Sequence, residues 1–195
     1  MIKTKDDLKY YLLCDKIAIG TDRKRPKLFG DRLWKFQILY RKTEYHYNNR
    51  KNIFHSIAYY SDFIRFKNQC RKLCSEFPLN VFQEGLVIWH GQNIIINGNA
   101  KVGKNFSIST GCCIGQAHEQ CPVIGDNVEM TIGSKILGGI IIANDVTIGA
   151  GAVVVKNIEK PYTTWGGVPA KCISENKNEY MEKRKERLKK VLRMY

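Results

Sequence analysis

Two histidines, His90 and His118, are the residues of this chain best suited to chemistry. The sequence contains four His, and the other two lie in its first third. An imidazole titrates near neutral pH, so it can accept or donate a proton under ordinary conditions. A zinc centre needs at least three protein ligands, and no third His or well-spaced Cys accompanies this pair. The pair therefore indicates proton transfer, and no metal is expected.

Both histidines interrupt a repeat of six residues. Its aliphatic positions are Ile96, Val102, Ile108, Ile114, and, after a gap, Ile124, Met130, Ile136, Ile142, Ile148 and Val154. This period is typical of a parallel β-helix, in which each aliphatic residue points to the axis. Counting six residues back from Ile96 reaches His90. The step from Ile114 to Ile124 is ten residues, and the inserted loop carries His118. We therefore expect the two histidines to share a site.

The residues on either side of the repeat predict helices. Thr4, with Asp7 three residues later, has the pattern of a capping box that begins a first helix. A second predicted helix runs from Asp31 to about Tyr47, and a third from Ile53 to about Cys74. The fold class is mainly β, a parallel β-helix with flanking helices. The expected parts are an α-helical N-terminal region at 1–77, a β-helix at 78–174 and a basic C-terminal helix at 175–195.

The formal net charge of +14 is concentrated outside the repeat. Residues 1–75 carry 18 Lys and Arg against 7 Asp and Glu, whereas the repeat region is close to neutral. Such a basic region is suited to an anionic membrane surface or an acidic glycan, and the alternative is an ordinary solvated helix surface. No nucleic-acid partner is expected.

The remaining composition indicates a cytoplasmic protein. The first residues are charged, which predicts no signal peptide, and no apolar stretch reaches the length of a membrane span. The seven Cys show no metal-type pairing, and their odd number indicates reduced thiols.

Several segments of the repeat region resemble the hexapeptide-repeat acyltransferases, and within them the serine acetyltransferase-like and polysaccharide O-acetyltransferase branches. The resemblance covers about half of the chain, and the closing Gly-Gly-Val-Pro-Ala-Lys motif is its most specific part. The matching segments are residues 78–82, 85–91, 95–103, 148–154 and 166–171.

The resemblance implies acetyl transfer from acetyl-CoA to a hydroxyl group by a homotrimer of left-handed coils, with active sites between neighbouring coils. Carried over, His90 would be the general base that takes the acceptor's proton, and no covalent enzyme intermediate would form. His118 would position the acceptor or stabilise charge. For the cofactor, the resemblance implies backbone groups of Ala150 and Gly151, with Lys156 and Lys171 near the phosphates.

The chain also departs from the family's pattern. Trp89 stands where serine acetyltransferases have Asp before the His, and Glu76 lies one step from the position of the Asp that orients it. Glu76 or a backbone carbonyl would have to orient His90 instead. Thr131 and Ile132 replace a small pair beside the pantetheine arm of the cofactor.

These departures favour a sugar hydroxyl, as in a surface-polysaccharide precursor, over serine as the acceptor. The first alternative is the serine O-acetyltransferase of cysteine biosynthesis. That enzyme usually ends in Ile, whereas this chain ends Arg193-Met194-Tyr195. A second alternative is a trimeric β-helix scaffold without catalytic activity. A third alternative is a metal-dependent coil of the carbonic-anhydrase type, but it would need a third His beside His90 and His118.

Overall fold

The N-terminal region forms three helices, as the sequence predicts. In the computed structural model, which describes residues 1–192, they are α1 (Lys5–Ile19), α2 (Arg32–Asn48) and α3 (Ile53–Lys72). The capping box at the start of α1 is present: the Thr4 side chain accepts from the Asp7 N–H, and the Asp7 carboxylate accepts from the Thr4 N–H. None of the helices within residues 1–192 is long and apolar enough to cross a membrane.

A parallel β-helix of about four turns follows the helices. Its three sheets have the orders β1-β4-β7-β10-β12-β13, β2-β5-β8-β11 and β3-β6-β9, and every pair is parallel except β12 with β13. The strands are β1 (Val87–Ile88), β2 (Ile95–Ile96), β3 (Lys101–Val102), β4 (Ser107–Ile108), β5 (Cys113–Gly115), β6 (Val123–Ile124), β7 (Glu129–Met130), β8 (Lys135–Leu137), β9 (Ile141–Ile142), β10 (Val146–Ile148), β11 (Val153–Val154), β12 (Thr163–Gly166) and β13 (Lys171–Ser174). The predicted left-handed parallel β-helix is confirmed.

The aliphatic residues of the repeat form the core of the coil. All ten are at most 4% exposed, and each stacks on an equivalent residue one turn away, as Ile108 does on Met130. The core continues without a break into the helices through Phe36 and Phe66. The helical region and the coil therefore share one hydrophobic interior, while the predicted division at residues 77 and 78 stays a prediction.

The six-residue spacing of inward residues has a second interruption, at the first turn, which the sequence does not show. Ile88 pairs with Ile108 and is buried, so Ile88 is the inward residue that precedes Ile96. The step between Ile88 and Ile96 is thus eight residues, and two extra residues enlarge the corner. His90 lies in this corner and is exposed, instead of pointing to the axis as strict counting by six requires.

A buried ionic network joins the helices to the start of the coil. The Arg41 guanidinium of α2 donates from Nε to Asp15 Oδ2 at 2.8 Å and from Nη1 to Glu44 Oε2 at 2.9 Å. It also donates to the carbonyls of Phe82 and Gln83, at 2.9 and 2.7 Å. Arg41, Asp15 and Glu44 are all at most 2% exposed, so this network fixes the position of α1 and α2 against the coil.

The C-terminal helix α4 (Glu179–Leu192) packs back onto the coil. It begins four residues later than the sequence suggests, because the Asn178 side chain caps it by accepting from the Tyr180 and Met181 N–H groups. Arg184 is fully buried and donates to the carbonyls of Gly85, Asn105 and Phe106 at 3.3–3.4 Å. Burial lowers the pKa of Arg184 to about 10. The predicted C-terminal residues 193–195 lie outside the described residues.

Candidate functional site

His90 stands exposed on the corner that connects β1 to β2. Within the described residues, its ring makes no hydrogen bond. The neighbouring Trp89 is held in place, because its Nε1–H donates to Ser107 Oγ at 2.9 Å and its ring lies 6.0 Å from that of Tyr180. The imidazole is therefore accessible to a ligand beside an anchored aromatic ring.

The carboxylate predicted to orient His90 is not bonded to it. Glu76 pairs through its backbone with Ile95, and its exposed side chain makes no hydrogen bond within the described residues. Ser75 instead braces the corner: its buried hydroxyl donates to the Gly91 carbonyl at 2.7 Å and accepts from the Ile94 N–H at 2.9 Å. Sequence reasoning assigned no role to Ser75, because an isolated Ser carries no signal of burial.

His118 lies on a different corner, the one that connects β5 to β6. The inserted loop is closed by mutual backbone hydrogen bonds between Ala117 and Gln120, at 3.1 and 3.0 Å. It rests on Asn97, which accepts from Cys121 and donates to Gln116. Asn97 follows β2, whereas His90 precedes β2. The sheet of β2, β5, β8 and β11 therefore separates the two histidines within one chain.

Three of the predicted site residues, Ile132, Ala150 and Gly151, lie along one edge of the coil, and this edge begins at the corner that holds His90. The Gly111 N–H donates to the Gln92 carbonyl, and the Gly133 N–H donates to the Thr110 carbonyl. The column is therefore Gln92, Thr110, Ile132 and Ala150, one turn apart, and His90 lies two residues before Gln92 in the enlarged corner. At the usual strand spacing of about 4.8 Å, Ile132 lies about 10 Å and Ala150 about 14 Å along this edge from Gln92. Gly151 joins the same edge by donating its N–H to the Ile132 carbonyl at 2.9 Å.

The side chains along this edge differ in what they offer a ligand. The Thr131 hydroxyl donates to the Ile148 carbonyl at 2.8 Å, so it is already used within the coil. Ile132 is 54% exposed and projects from the edge. Gly151, with a φ of +67°, leaves open space where a side chain would begin. An extended ligand could follow this edge, with Ile132 as an apolar contact.

Lys156 and Lys171 meet at the upper end of the coil. They line one groove together with Val154, Trp165 and Pro169. Both side chains are exposed, and neither makes an ion pair within residues 1–192. Two ammonium groups at the mouth of a groove favour an anionic ligand such as a phosphate.

Comparisons with known proteins point to one family. No family model matches the chain. The serine acetyltransferase of Staphylococcus epidermidis is 37% identical over 94 residues, which are 46% of this chain and 44% of that protein. That of Staphylococcus xylosus is 34% identical over 95 residues, 47% of this chain and 44% of that protein. The chain thus matches less than half of the length of these relatives.

Solved serine acetyltransferases have the same fold. The enzyme from Neisseria gonorrhoeae matches with a TM-score of 0.67 and 23% identity, over 92% of this chain and 72% of that one. A serine acetyltransferase in complex with CoA matches with a TM-score of 0.63 and 20% identity, over 87% of this chain and 71% of that one. These matches confirm the resemblance to the hexapeptide-repeat acyltransferases, and nothing in them singles out the polysaccharide branch.

Proposed function

We propose that this chain, which is similar to serine acetyltransferases in sequence and in fold, transfers an acetyl group from acetyl-CoA to the hydroxyl of a small acceptor of the serine type. The sequence identity of 37% to a serine acetyltransferase carries the proposal. A structural neighbour in complex with CoA supports acetyl-CoA as the donor. Serine is therefore the first candidate acceptor, whereas the departures from the family's sequence pattern favoured a sugar hydroxyl.

In the proposed reaction His90 acts as the general base. Its neutral imidazole accepts the hydroxyl proton while the acceptor oxygen attacks the thioester carbonyl, and the thiolate leaves with a proton. The acetyl group passes directly to the acceptor, so no covalent enzyme intermediate forms. Glu76 makes no hydrogen bond to His90 within the described residues, so the orienting role is left to the backbone of the corner that Ser75 braces.

The edge above His90 is the proposed path of acetyl-CoA. Ile132 would contact the pantetheine arm, and the backbone groups of Ala150 and Gly151 would bind its amides. Lys156 and Lys171 would lie near the phosphates, because both ammonium groups border the groove at the end of this edge. Thr131 would hold the backbone of this edge in place, since its hydroxyl already donates to the Ile148 carbonyl.

A homotrimer completes the proposed site. His90 and His118 lie on different corners of one coil, so they can share a site only if His118 comes from a neighbouring coil. The coil also exposes aliphatic side chains that another coil would cover: Ile95 is 50%, Val123 44% and Ile141 56% exposed. Burial of such a surface is the usual driving force for association.

A sugar hydroxyl is the second candidate acceptor. Trp89 is 39% exposed directly before His90, and its anchored indole offers a flat apolar face. Aromatic side chains commonly line ligand pockets and would pack against the C–H face of a sugar ring. Trp89→Leu separates the candidates: it would weaken use of a sugar far more than use of serine.

The proposal is tested by measuring thiol release from acetyl-CoA with serine and with a panel of sugars. His90→Ala should lower kcat by about a hundredfold or more, the usual scale for a lost general base. Lys156→Gln with Lys171→Gln should raise the KM for acetyl-CoA but leave that for acetyl-pantetheine unchanged. Lys183→Gln, on the outer face of α4, is the matched control and should change neither kcat nor the KM for acetyl-CoA.

Two outcomes would contradict the proposal. A rate unaffected by His90→Ala would refute the mechanism, and absence of acetyl-CoA binding in calorimetry would favour the scaffold without catalytic activity.

A further inference from the structure

The outer face of α3 exposes an apolar stripe. Ile53, Ile57, Tyr60 and Ile64 are spaced four, three and four residues apart, which places them on one side of the helix. Each is 64–68% exposed, and the adjacent Phe54 is 78% exposed. The opposite side of α3 is the one that packs into the core. This surface, called here the α3 stripe, is therefore not needed to hold the helix in place.

The stripe continues into positive charge along the same face. The next two positions with the same spacing are Lys67 and Arg71, and both are exposed. Asp62 is the acidic residue of α3, and it is paired with Arg65 at 3.3 Å. The outer face of the helix thus has an apolar N-terminal half and a cationic C-terminal half.

A basic groove lies beside the stripe. Arg32 and Lys35 of α2 line it together with Arg65 of α3, which lies about 100° around the helix from Ile64 of the stripe. Its rim includes Gly30, and the preceding Leu28 and Phe29 are 82% and 89% exposed. Exposed apolar side chains and cations therefore occur on neighbouring faces of α3 and on the loop before α2.

We propose that this surface binds an anionic phospholipid bilayer, with α3 lying in the plane of the membrane. Apolar side chains next to Lys and Arg on one helix face are typical of helices that lie at the interface, where the chains enter the acyl boundary and the cations meet headgroups. The net charge of the first 75 residues, 18 Lys and Arg against 7 Asp and Glu, matches an anionic surface. A second copy of the chain carries the same excess of positive charge in this region and would be repelled by it.

Vesicle sedimentation of the full chain tests the proposal. Vesicles of phosphatidylcholine with 30% phosphatidylglycerol should bind the protein at least about tenfold more strongly than phosphatidylcholine alone, and salt should weaken the binding. Lys67→Gln with Arg71→Gln should lower the partition coefficient about thirtyfold, the effect expected of two cations near an anionic surface. Ile57→Gln with Ile64→Gln should lower it by a similar factor.

Matched controls separate this surface from general charge or hydrophobicity. Lys183→Gln removes an exposed cation from α4, and Ile173→Gln removes an equally exposed Ile from β13; both should bind vesicles like the unchanged protein. Circular dichroism should show that all variants are folded.

Equal binding to both kinds of vesicle, or an equal loss of vesicle binding in the control variants, would overturn the proposal. Light scattering without vesicles gives a further check. If Ile57→Gln with Ile64→Gln halves the particle mass, the stripe joins two protein copies and the proposal is overturned. Displacement from vesicles by millimolar inorganic phosphate would show a free-anion site instead.

Discussion

Replacing Arg41 by Met should destabilise this protein strongly, although it changes no residue of the coil. The Arg41 side chain is fully buried and connects α2 to Asp15 of α1, to Glu44 one turn on, and to two carbonyls at the start of the coil. Met fills much of the space but donates no hydrogen bond. The substitution therefore leaves two carboxylates without their counter-charge in a dry interior.

The loss of unfolding free energy depends on the hydrogen bonds that those carboxylates keep. Removing one partner of a buried ion pair typically costs about 3–5 kcal/mol, a large share of the about 5–15 kcal/mol that stabilises a domain. Asp15 retains the N–H groups of Gly85 and Leu86, each at 2.8 Å, which limits the cost at that residue. Glu44 retains the Asn80 N–H at 2.7 Å. We therefore expect a loss of about 3 kcal/mol, at the lower end of the range.

The loss should also depend on pH. Burial raises the pKa of Glu44, and Arg41 opposes that rise. Without Arg41 the pKa of Glu44 rises further, so folded Glu44 takes up a proton at a pH where the unfolded chain is still ionised. Stability of the variant then falls as pH increases through the raised pKa. The deficit should be smaller at pH 5 than at pH 8.

Urea unfolding followed by circular dichroism measures both effects. Lys160→Met is the control, because it breaks a 2.7 Å ion pair with Glu175 whose side chains are more than 60% exposed. Such a pair contributes about 0–1 kcal/mol. Equal destabilisation by Arg41→Met and Lys160→Met would refute the argument, as would a deficit that is independent of pH.

Two further predictions concern the coil and the helices. Gly103→Ala should destabilise the protein by about 1–3 kcal/mol in urea unfolding, because a Cβ there would stand 2.6 Å from the Gly125 carbonyl. Gly98→Ala, whose Cβ would meet Pro78 at an ordinary 3.4 Å, should cost less, and equal costs would contradict the packing argument. Burial lowers the pKa of His46, so stability should be full above the ordinary value of 6.5 and decrease as pH falls below it. His46→Gln should flatten that profile; an unchanged slope would assign it to other groups.

The fold of the coil was predictable because its signal is local and redundant. One inward aliphatic residue in every six sets the phase of each turn, and ten such residues agree. The slip at the first turn was not predictable, since extra residues in a corner bury no side chain and so leave no apolar mark. Counting by six consequently placed His90 on the axis, whereas the pairing of Ile88 with Ile108 places it on the surface.

The sequence names candidate site residues but does not show how they are arranged in space. The sequence indicates His90 and His118 through the interruptions of the repeat, and the resemblance adds Ile132 and Ala150. The alignment of Ile132 with Ala150 on the edge that begins at the His90 corner depends on the register between turns. The separation of His118 from His90 depends on which corner holds the insertion, and a linear count of residues does not show this.

The sequence by itself determined the repeating architecture, the helices and the residues that could carry a proton, because each of these depends on a local period or on side-chain chemistry. Only the tertiary structure decided which charged residues are buried. Asp15, Arg41 and Arg184 are separated by up to 169 positions in the sequence, yet all are buried against the same start of the coil. A charge is expected at the surface unless partners satisfy it. Those partners are mostly backbone carbonyls and N–H groups, which every residue carries, so no sequence pattern marks them.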